Sequence, residues 1–287
     1  MLPLQDGMIR ALPRPLAVRW QPFLIMGWFA LSVGLLFLPV TIALLAMPHD
    51  WMIWAQIPAR LAQGRLYEAT AETATTPAYF FVFAPLAGWV MAAVVPLGYA
   101  LWWALHLGAL PLLRDWKLIA LTVLSVPFWI DTMIGSTVVW VFVAGVVAMR
   151  GSRWGAITYL ALFLLMPRPV HLPLAGWLLW QRPDVRWPFA LLLAVVGLTT
   201  LASGYTEDWI ANLLWTGGDY LSVEHNFSPT RLIGVVWLLI GVPLAAWLTW
   251  KGRVGIAGLA MTPYLLPPYL LMLLWDLMTP RPPDLAE

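Results

Sequence analysis

The stretch PFLIMGWFALSVGLLFLPVTIALLAM, residues 22–47, decides the fold class, because no charged side chain interrupts it. A membrane-spanning helix needs about 20 consecutive apolar residues, and this run is longer than that. It is too long for the apolar region of a cleaved signal peptide, and further apolar segments follow it in place of a small-residue cleavage site. We therefore expect it to remain in the protein as the first transmembrane helix.

The rest of the chain has the same apolar character. Of its 287 residues, 61% are hydrophobic and only 10% are charged, whereas a soluble domain has about 25% charged residues. The apolar runs are long and show no alternating pattern, so helices are expected to satisfy the backbone in lipid, not barrel strands. The sequence predicts an all-α, polytopic integral membrane protein that forms a single membrane domain over residues 1–287.

The apolar segments predict about eight to ten transmembrane helices, several of them shorter than the ~20 residues of a full crossing. The predicted spans are 23–47, 78–95, 97–113, 118–130, 137–149, 155–166, 170–180, 187–202, 231–250 and 254–277. One conflict stays open, because a full crossing by 97–113 would put Arg114 and Lys117 outside. The segment LLMPRPVHLPL, residues 164–174, is broken by Pro167 and Pro169; a tight outer hairpin is favoured there over the wall of a cavity.

Basic residues in short connections predict the orientation. By the positive-inside rule, the N-terminal segment 1–22 is cytoplasmic, and the long polar loops 48–77 and 204–230 lie outside. The basic residues on which this rests are Arg10, Arg14, Arg19, Arg150, Arg153, Arg182, Arg186, Lys251 and Arg253. Tryptophans that flank the spans are expected at the membrane interfaces.

Composition also limits the chemistry. The chain has no cysteine, which excludes a disulfide framework, a thiol nucleophile and a thiolate metal site. Its net charge of +2 is small and dispersed, so nucleic acid is not expected as a partner. We expect neither a metal nor a cofactor, and we interpret His106 and His171 as hydrogen-bonded interior histidines, not as ligands of a tetrapyrrole.

The first polar loop carries the main candidate for chemistry, Asp50, a few residues after the first span. An amphipathic helix on the membrane surface is expected to follow it, bent near Pro58 and ended by Gly64. Its polar side would hold Gln56, Arg60 and Gln63, and its apolar side Trp51, Trp54 and Leu61. The alternative interpretation is an ordinary interfacial connector with a solvated aspartate.

This loop resembles one found in known enzymes. The pattern comprises Asp50, Trp54, Leu61, Gly64, Leu66 and Tyr67, then the aromatic segment Tyr79, Phe80, Phe81, Phe83, Pro85 and Leu86. It is similar to polyprenol-phosphate-dependent glycosyltransferases of the GT-C superfamily, and closest to the mannosyltransferase-like family 87. Residues 133–156, 164–187 and 224–236 resemble, in the same order, the family's "GQ-x-N", "K-P" and "N-x-S" segments. The resemblance covers about residues 23–277.

The resemblance implies a GT-C-like fold with an outer juxtamembrane helix and a specific reaction. A sugar, mannose by analogy, would pass from a polyprenyl-phosphate donor to an acceptor hydroxyl on the outer face, with inversion and with Asp50 as general base. Such a transfer needs a base at the membrane surface and cations that hold the departing phosphate. The residues assigned to substrate binding are Arg60, Arg65, Tyr67, Asp131, Arg168 and His225.

Each assignment has a plainer alternative. The arginines are equally explained as solvated or snorkelling side chains, Asp131 as a helix cap, and the segment around His225 and Asn226 as a cap formed by Ser228. The expected partners are the lipid-linked donor and membrane lipids, and the expected location is the bacterial inner membrane, with the N-terminus cytoplasmic.

Two departures from the family pattern favour a second hypothesis. Ser136 stands where the family usually has glutamine, and Met166 stands where it usually has lysine before proline. A non-catalytic subunit of a larger membrane complex, built on a degenerated GT-C scaffold, is therefore the alternative, with other membrane subunits as partners. A small transporter is less favoured, since no paired broken helices are evident in corresponding halves.

Overall fold

The computed structural model of the chain describes residues 21–38, 49–67, 83–215 and 226–276, and every regular element in those ranges is helical. The all-α prediction is confirmed to that extent. The α-helices are α1 (Gln21–Leu36), α2 (His49–Trp54), α3 (Ile57–Ala62), α4 (Pro85–Val94), α5 (Tyr99–Ala109), α6 (Trp116–Val123), α7 (Val126–Ile134), α8 (Val138–Met149), α9 (Arg153–Leu165), α10 (Leu172–Gln181), α11 (Arg186–Ala202), α12 (Thr206–Trp215), α13 (Thr230–Ile233), α14 (Leu238–Trp250), α15 (Val254–Met261) and α16 (Leu273–Asp276). Short 3-10 turns cover Val95–Leu97, Leu110–Leu113, Pro169–His171, Pro183–Val185, Gly234–Trp237 and Pro267–Met272.

Two helical segments, Pro183–Ala202 and Thr230–Trp250, are long and apolar enough to cross a membrane, and the number rises to four if two bent helix pairs each count as one span. Both long helices present apolar side chains outward, including Leu198 and Leu239, which are 66% and 76% exposed. Such exposed apolar faces are typical of lipid contact. The apolar helices are consistent with a membrane protein. The number of eight to ten crossings remains a prediction.

The two bent pairs lie in the region whose crossings the sequence left open. Pro85–Leu97 and Tyr99–Leu113 meet at 108°, and Trp116–Val123 and Val126–Ile134 meet at 67°. The first bend falls at Gly98, whose φ of +94° is readily adopted only by glycine. Residues 85–134 are thus built from short, sharply joined helices instead of straight crossings.

Three of the basic connections, 114–117, 150–153 and 182–186, lie close to one another. Asp115, between Arg114 and Lys117, pairs with Arg150 across 3.4 Å. Asp184 pairs with Arg182 at 2.8 Å and also interacts electrostatically with Arg153. Arg114 and Lys117 therefore lie beside the connections that the positive-inside rule groups together, which removes the conflict with the charge rule.

The prediction that residues 254–277 form one membrane crossing is wrong. In the part that the structure describes, 254–276, the chain forms separate helical pieces. After α15 the chain turns through the proline-rich segment 262–268 and folds back, so that Asp276 accepts hydrogen bonds from the N–H groups of Gly255 and Ile256 at 3.0 and 2.8 Å. A Cβ on Gly255 would lie 2.1 Å from the Met272 carbonyl oxygen. This close approach lets the two short helical pieces pack side by side.

Helix α8 is the centre of the core. Nearly all of its residues are buried, and it packs against α9 and the 3-10 turn Pro267–Met272. Gly145 receives the indole of Trp275, which donates to the Phe142 carbonyl oxygen at 3.1 Å. With 12 residues, α8 is about 18 Å long, and its C-terminal end reaches the basic connection at Arg150.

Tryptophans serve two purposes in the fold. Several that flank predicted spans are exposed, as expected at a membrane interface: Trp116, Trp180, Trp187 and Trp250. Others are buried and donate their indole N–H to a main-chain carbonyl at a helix end or break: Trp54 to Gly135 and Trp102 to Ser136. These buried indoles satisfy carbonyls that a broken helix leaves without an internal partner.

Candidate functional site

Asp50 lies in the first turn of α2 and is 9% exposed. Its carboxylate is thus largely enclosed by protein and is not a solvated side chain in bulk water. The predicted amphipathic helix is present as two short helices, α2 and α3, with the break at Ala55 and Gln56, before Pro58. Gly64 follows α3 with a φ of +68°, as expected for a residue that ends a helix.

Helix α2 packs directly on the turn between α7 and α8, which we call the Gly135 turn. Gly135 in this turn has a φ of +78°, and a Cβ built there would lie 2.6 Å from the Cβ of Trp51. Trp54 donates its indole N–H to the Gly135 carbonyl oxygen at 3.0 Å. Only glycine permits both the left-handed backbone and the close approach, so this turn fixes the position of the helix that carries Asp50.

Asp131 is fully buried in α7, four residues before that turn. Its two carboxylate oxygens accept the N–H groups of Val138 and Val139, at 3.2 and 2.8 Å, at the start of α8. These N–H groups have no partner within the helix, and the helix dipole favours a negative charge there. Asp131 therefore caps α8 from the preceding helix, and its carboxylate also lies 3.4 Å from Nε2 of the buried His106.

Arg168 lies in the break between α9 and α10, and it is extended (φ −136°, ψ 140°) because a proline follows it. Its Nη1 donates to the hydroxyl oxygen of Tyr269 at 2.6 Å, and the guanidinium lies 5.6 Å from that ring's centroid. The guanidinium interacts electrostatically with the carboxylates of both Asp50 and Asp131. The two helices beside the break return to the basic end of the molecule, as the hairpin prediction requires, but Val170 and His171 at its tip are buried in protein.

Of the predicted residues, Asp131 lies at the N-terminal end of α8, and Arg168 interacts electrostatically with both Asp131 and Asp50. Tyr269 joins them from the folded-back segment. The interacting groups are two carboxylates, a cation and a phenol from four separate parts of the chain, and Arg168 and Tyr269 are in direct contact. Such a set can accept a proton from a hydroxyl and bind an anion side by side.

Arg60, Arg65 and Tyr67 are placed differently. Arg60 is buried, and its guanidinium donates to the side-chain oxygen of Gln56 at 3.2 Å through Nη2. The prediction that Arg60 lies on a polar surface of the helix is therefore wrong, because α3 packs this side against protein. Arg65 is exposed.

Tyr67 is buried and donates its hydroxyl to the Phe83 carbonyl oxygen at 2.7 Å. Burial, together with the nearby Tyr205 and Asp208, raises the pKa of Tyr67 far above its ordinary value. The hydroxyl therefore stays protonated and tied to the main chain, where it fixes the end of the first polar loop against the start of α4.

His225 lies outside the described residues, but the segment after it has a clear structural role. Asn226 donates to the Pro263 carbonyl oxygen at 3.0 Å and accepts N–H groups from Ser228 and Leu265. Ser228 donates to the Thr262 carbonyl oxygen at 2.7 Å and accepts the N–H of Thr230. The "N-x-S" pattern thus joins the start of α13 to the turn after α15.

The two residues that depart from the family pattern are both buried. Ser136 is 2% exposed and lies in the turn beneath α2, and Met166 packs in the hydrophobic cluster around Trp54 and Trp102. Neither supplies a charge to the site, so Arg168 is the cation nearest to the "K-P" position.

Sequence reasoning missed Tyr269. Tyr269 follows the paired prolines 267 and 268, a signal for broken helices that the apolar run concealed. The expectation of a hydrogen-bonded interior histidine is met by His106, whose Nδ1 lies 2.9 Å from the Trp102 carbonyl oxygen. It is not met by His171, whose ring nitrogens find no hydrogen-bond partner within the described ranges.

No three histidine, aspartate or glutamate side chains are grouped as metal ligands in the part of the chain that the structure describes. Comparisons of the chain with protein-family models, with curated proteins and with solved structures give no match.

Proposed function

We propose that the protein is a membrane glycosyltransferase that moves a sugar from a polyprenyl-phosphate donor to an acceptor hydroxyl. The observation that carries the proposal is the electrostatic interaction of Arg168 with both Asp50 and Asp131. A base and a phosphate-binding cation must lie side by side for this transfer, and the sequence assigned these roles to residues 118 positions apart, counting from 50 to 168.

The proposed reaction is a single displacement. The acceptor oxygen attacks C1 of the sugar as Asp50 takes the hydroxyl proton. The bond between C1 and the phosphate oxygen breaks, the electron pair leaves with the polyprenyl phosphate, and Arg168 stabilises the negative charge that develops there. Attack from the side opposite the leaving group inverts the configuration at C1.

Enclosure of Asp50 supports the role of base. A carboxylate that is 9% exposed is largely shielded from bulk water. The Gly135 turn and the indole of Trp54 hold α2 in a fixed position. A base held in this way spends little entropy on reaching the acceptor.

The finer assignments follow from the resemblance. We propose mannose as the sugar, a bacterial inner membrane as the location, and an active site on the outer face, at the end of the molecule opposite the basic connections. Arg65 and His225 are assigned to substrate contacts at the edge of the site, and Arg60 and Tyr67 to the support of the first polar loop.

The test is transfer of labelled sugar by the purified protein in lipid nanodiscs. We expect transfer from polyprenyl-phosphate mannose but not from the nucleotide-linked sugar, with inverted configuration in the product. Transfer from the nucleotide donor alone would contradict the proposal.

The alternative function is a non-catalytic subunit of a membrane complex. It is favoured by the buried Ser136 and Met166, which supply no charge at two positions where the resemblance implies polar groups. Its test is purification from native membranes: absence of transfer with every donor, together with stable copurification of other membrane subunits, would favour it.

A further inference from the structure

Three basic connections and the tryptophans beside them form one surface, which we call the basic surface: residues 114–117, 150–154 and 182–187. A salt bridge of 3.4 Å between Asp115 and Arg150 joins the first connection to the second. The electrostatic interaction of Arg153 with Asp184 joins the second to the third. Helix α9, which begins in the second connection, also packs against the turn Pro183–Val185. Residues from three separate parts of the chain thus lie side by side.

The basic surface carries more positive charge than its own carboxylates balance. Its charged residues are six cations, Arg114, Lys117, Arg150, Arg153, Arg182 and Arg186, and two carboxylates, Asp115 and Asp184. Six positive and two negative charges leave a net charge of +4 on the three connections. Four of the cations are exposed: Arg114, Lys117, Arg153 and Arg186.

Both carboxylates of the basic surface are engaged within the fold. Asp115 caps α6, where its Oδ1 accepts the N–H groups of Lys117 and Leu118 at 3.0 and 3.3 Å. Asp184 accepts two hydrogen bonds from the guanidinium of Arg182, at 2.9 and 2.8 Å. The excess positive charge is therefore not balanced within the three connections, and it is available to anionic groups outside the protein.

Each connection also presents one strongly exposed tryptophan. Trp116, Trp154 and Trp187 are 73%, 76% and 78% exposed. The ammonium group of Lys117 lies 5.9 Å from the ring centroid of Trp116, so a cation and an indole are presented together. Tryptophan is enriched where a bilayer meets water, because its ring is apolar and its N–H is polar. A small soluble anion would bind the cations alone, whereas a phospholipid offers a phosphate to the cations and an apolar region to the indoles.

We propose that the basic surface docks on anionic phospholipids of the membrane leaflet that it faces. The exposed cations attract the lipid phosphates, and the three indoles lie at the boundary between headgroups and acyl chains. Each lysine or arginine close to an anionic bilayer surface favours the contact about fivefold. This inference concerns residues that take no part in the proposed reaction, and it stands without the proposed function.

The test is the lipid preference of the protein in bilayers, measured by electron spin resonance. Trace amounts of spin-labelled phosphatidylglycerol or phosphatidylcholine are added, and the immobilised fraction of each gives its relative association with the protein. Because the probe samples every lipid position around the protein, the averaged preference for phosphatidylglycerol is expected to be about twofold, below the fivefold effect of one close charge. It should disappear in about 1 M salt, where the Debye length is about 3 Å. Equal association of both lipids at low salt would overturn the proposal.

Variants distinguish this surface from the overall charge of the protein. Arg153→Gln is expected to lower the preference for phosphatidylglycerol, and Arg153→Gln with Lys117→Gln to remove most of it. The matched control is Arg231→Gln, which removes one positive charge at an exposed position outside the three connections and should keep the preference of the wild type. An equal loss in Arg153→Gln and Arg231→Gln would overturn the proposal, because net charge alone would then explain the preference.

Competition distinguishes a lipid surface from a site for a free anion. Inorganic phosphate, added at constant ionic strength, is expected to leave the immobilised fraction of phosphatidylglycerol unchanged, since it offers no apolar region to the indoles. Displacement of the lipid by inorganic phosphate would overturn the proposal.

Discussion

Replacement of Gly135 by alanine is the sharpest perturbation of the candidate site. It acts on the turn that α2 packs against, and it replaces none of the proposed functional side chains. A Cβ at this position would lie 2.6 Å from Cβ of Trp51 and 3.0 Å from its main-chain nitrogen. Neither atom is the flexible end of a side chain. The helix that carries Asp50 must therefore move away from the turn.

The cost can be divided into two parts. The left-handed backbone costs about 1–2 kcal/mol for a residue with a Cβ, and loss of the Trp54 hydrogen bond to Gly135 costs about 1 kcal/mol. Activity is expected to fall further, since a displacement of about 1 Å in a reacting group costs up to ~10²-fold in rate.

Gly64→Ala is the matched control. Gly64 also has a positive φ, +68°, but no heavy atom lies within 4 Å of a Cβ built there. It imposes a similar backbone strain without moving α2, so it should lose stability but keep its transfer rate per folded molecule. Thermal unfolding measures the first quantity, and labelled-sugar transfer in nanodiscs measures the second. Equal transfer rates for Gly135→Ala and Gly64→Ala would refute the claim that the Gly135 turn fixes the position of α2.

Three further predictions address other contacts. Tyr269→Phe removes the hydroxyl that accepts from Arg168 and keeps the ring, so the KM for the lipid donor should rise about fivefold, or about 1 kcal/mol; an unchanged KM would remove Tyr269 from the site. Asn226→Ala removes three hydrogen bonds and should lower the free energy of unfolding by about 2–4 kcal/mol, which denaturant unfolding in detergent would show; a loss below about 0.5 kcal/mol would contradict the structural role. The hydrogen bond from Arg182 lowers the pKa of Asp184, so their pair stabilises the fold above the unfolded pKa of about 3.9 and loses that effect as the pH falls through the lower, folded value. Asp184→Asn should thus lower the unfolding temperature slightly at pH 6 and by less as the pH falls below about 3.9, and an equal decrease at both would contradict the pairing.

Local sequence patterns predicted the features that depend on neighbouring residues. The apolar composition indicated helices in a membrane, Gly64 indicated the end of α3, and Pro169 indicated the extended backbone at Arg168. Each of these depends on backbone preferences or solvation within a few positions of the residue concerned. For the same reason, the break in 164–174 was correctly located.

Features that depend on distant contacts were not predictable in this way. Hydropathy does not distinguish one crossing from two helices that fold back, and the return of 262–276 depends on the contact between Gly255 and the Met272 carbonyl. Burial of Arg60 likewise depends on how α3 packs against other parts of the chain. Tyr269 joins the site only because of that return, so no local pattern could have assigned it.

The central claim is that Asp50 acts as the base in sugar transfer, and one measurement tests it most directly. Initial rates of transfer from polyprenyl-phosphate mannose are compared for the wild type, Asp50→Asn and Glu207→Gln, the last being the same carboxylate-to-amide change at an exposed position. General base catalysis contributes about 10²–10⁴-fold. We predict a loss of at least about 100-fold for Asp50→Asn and an unchanged rate for Glu207→Gln, whereas a rate for Asp50→Asn equal to that of the wild type would contradict the account.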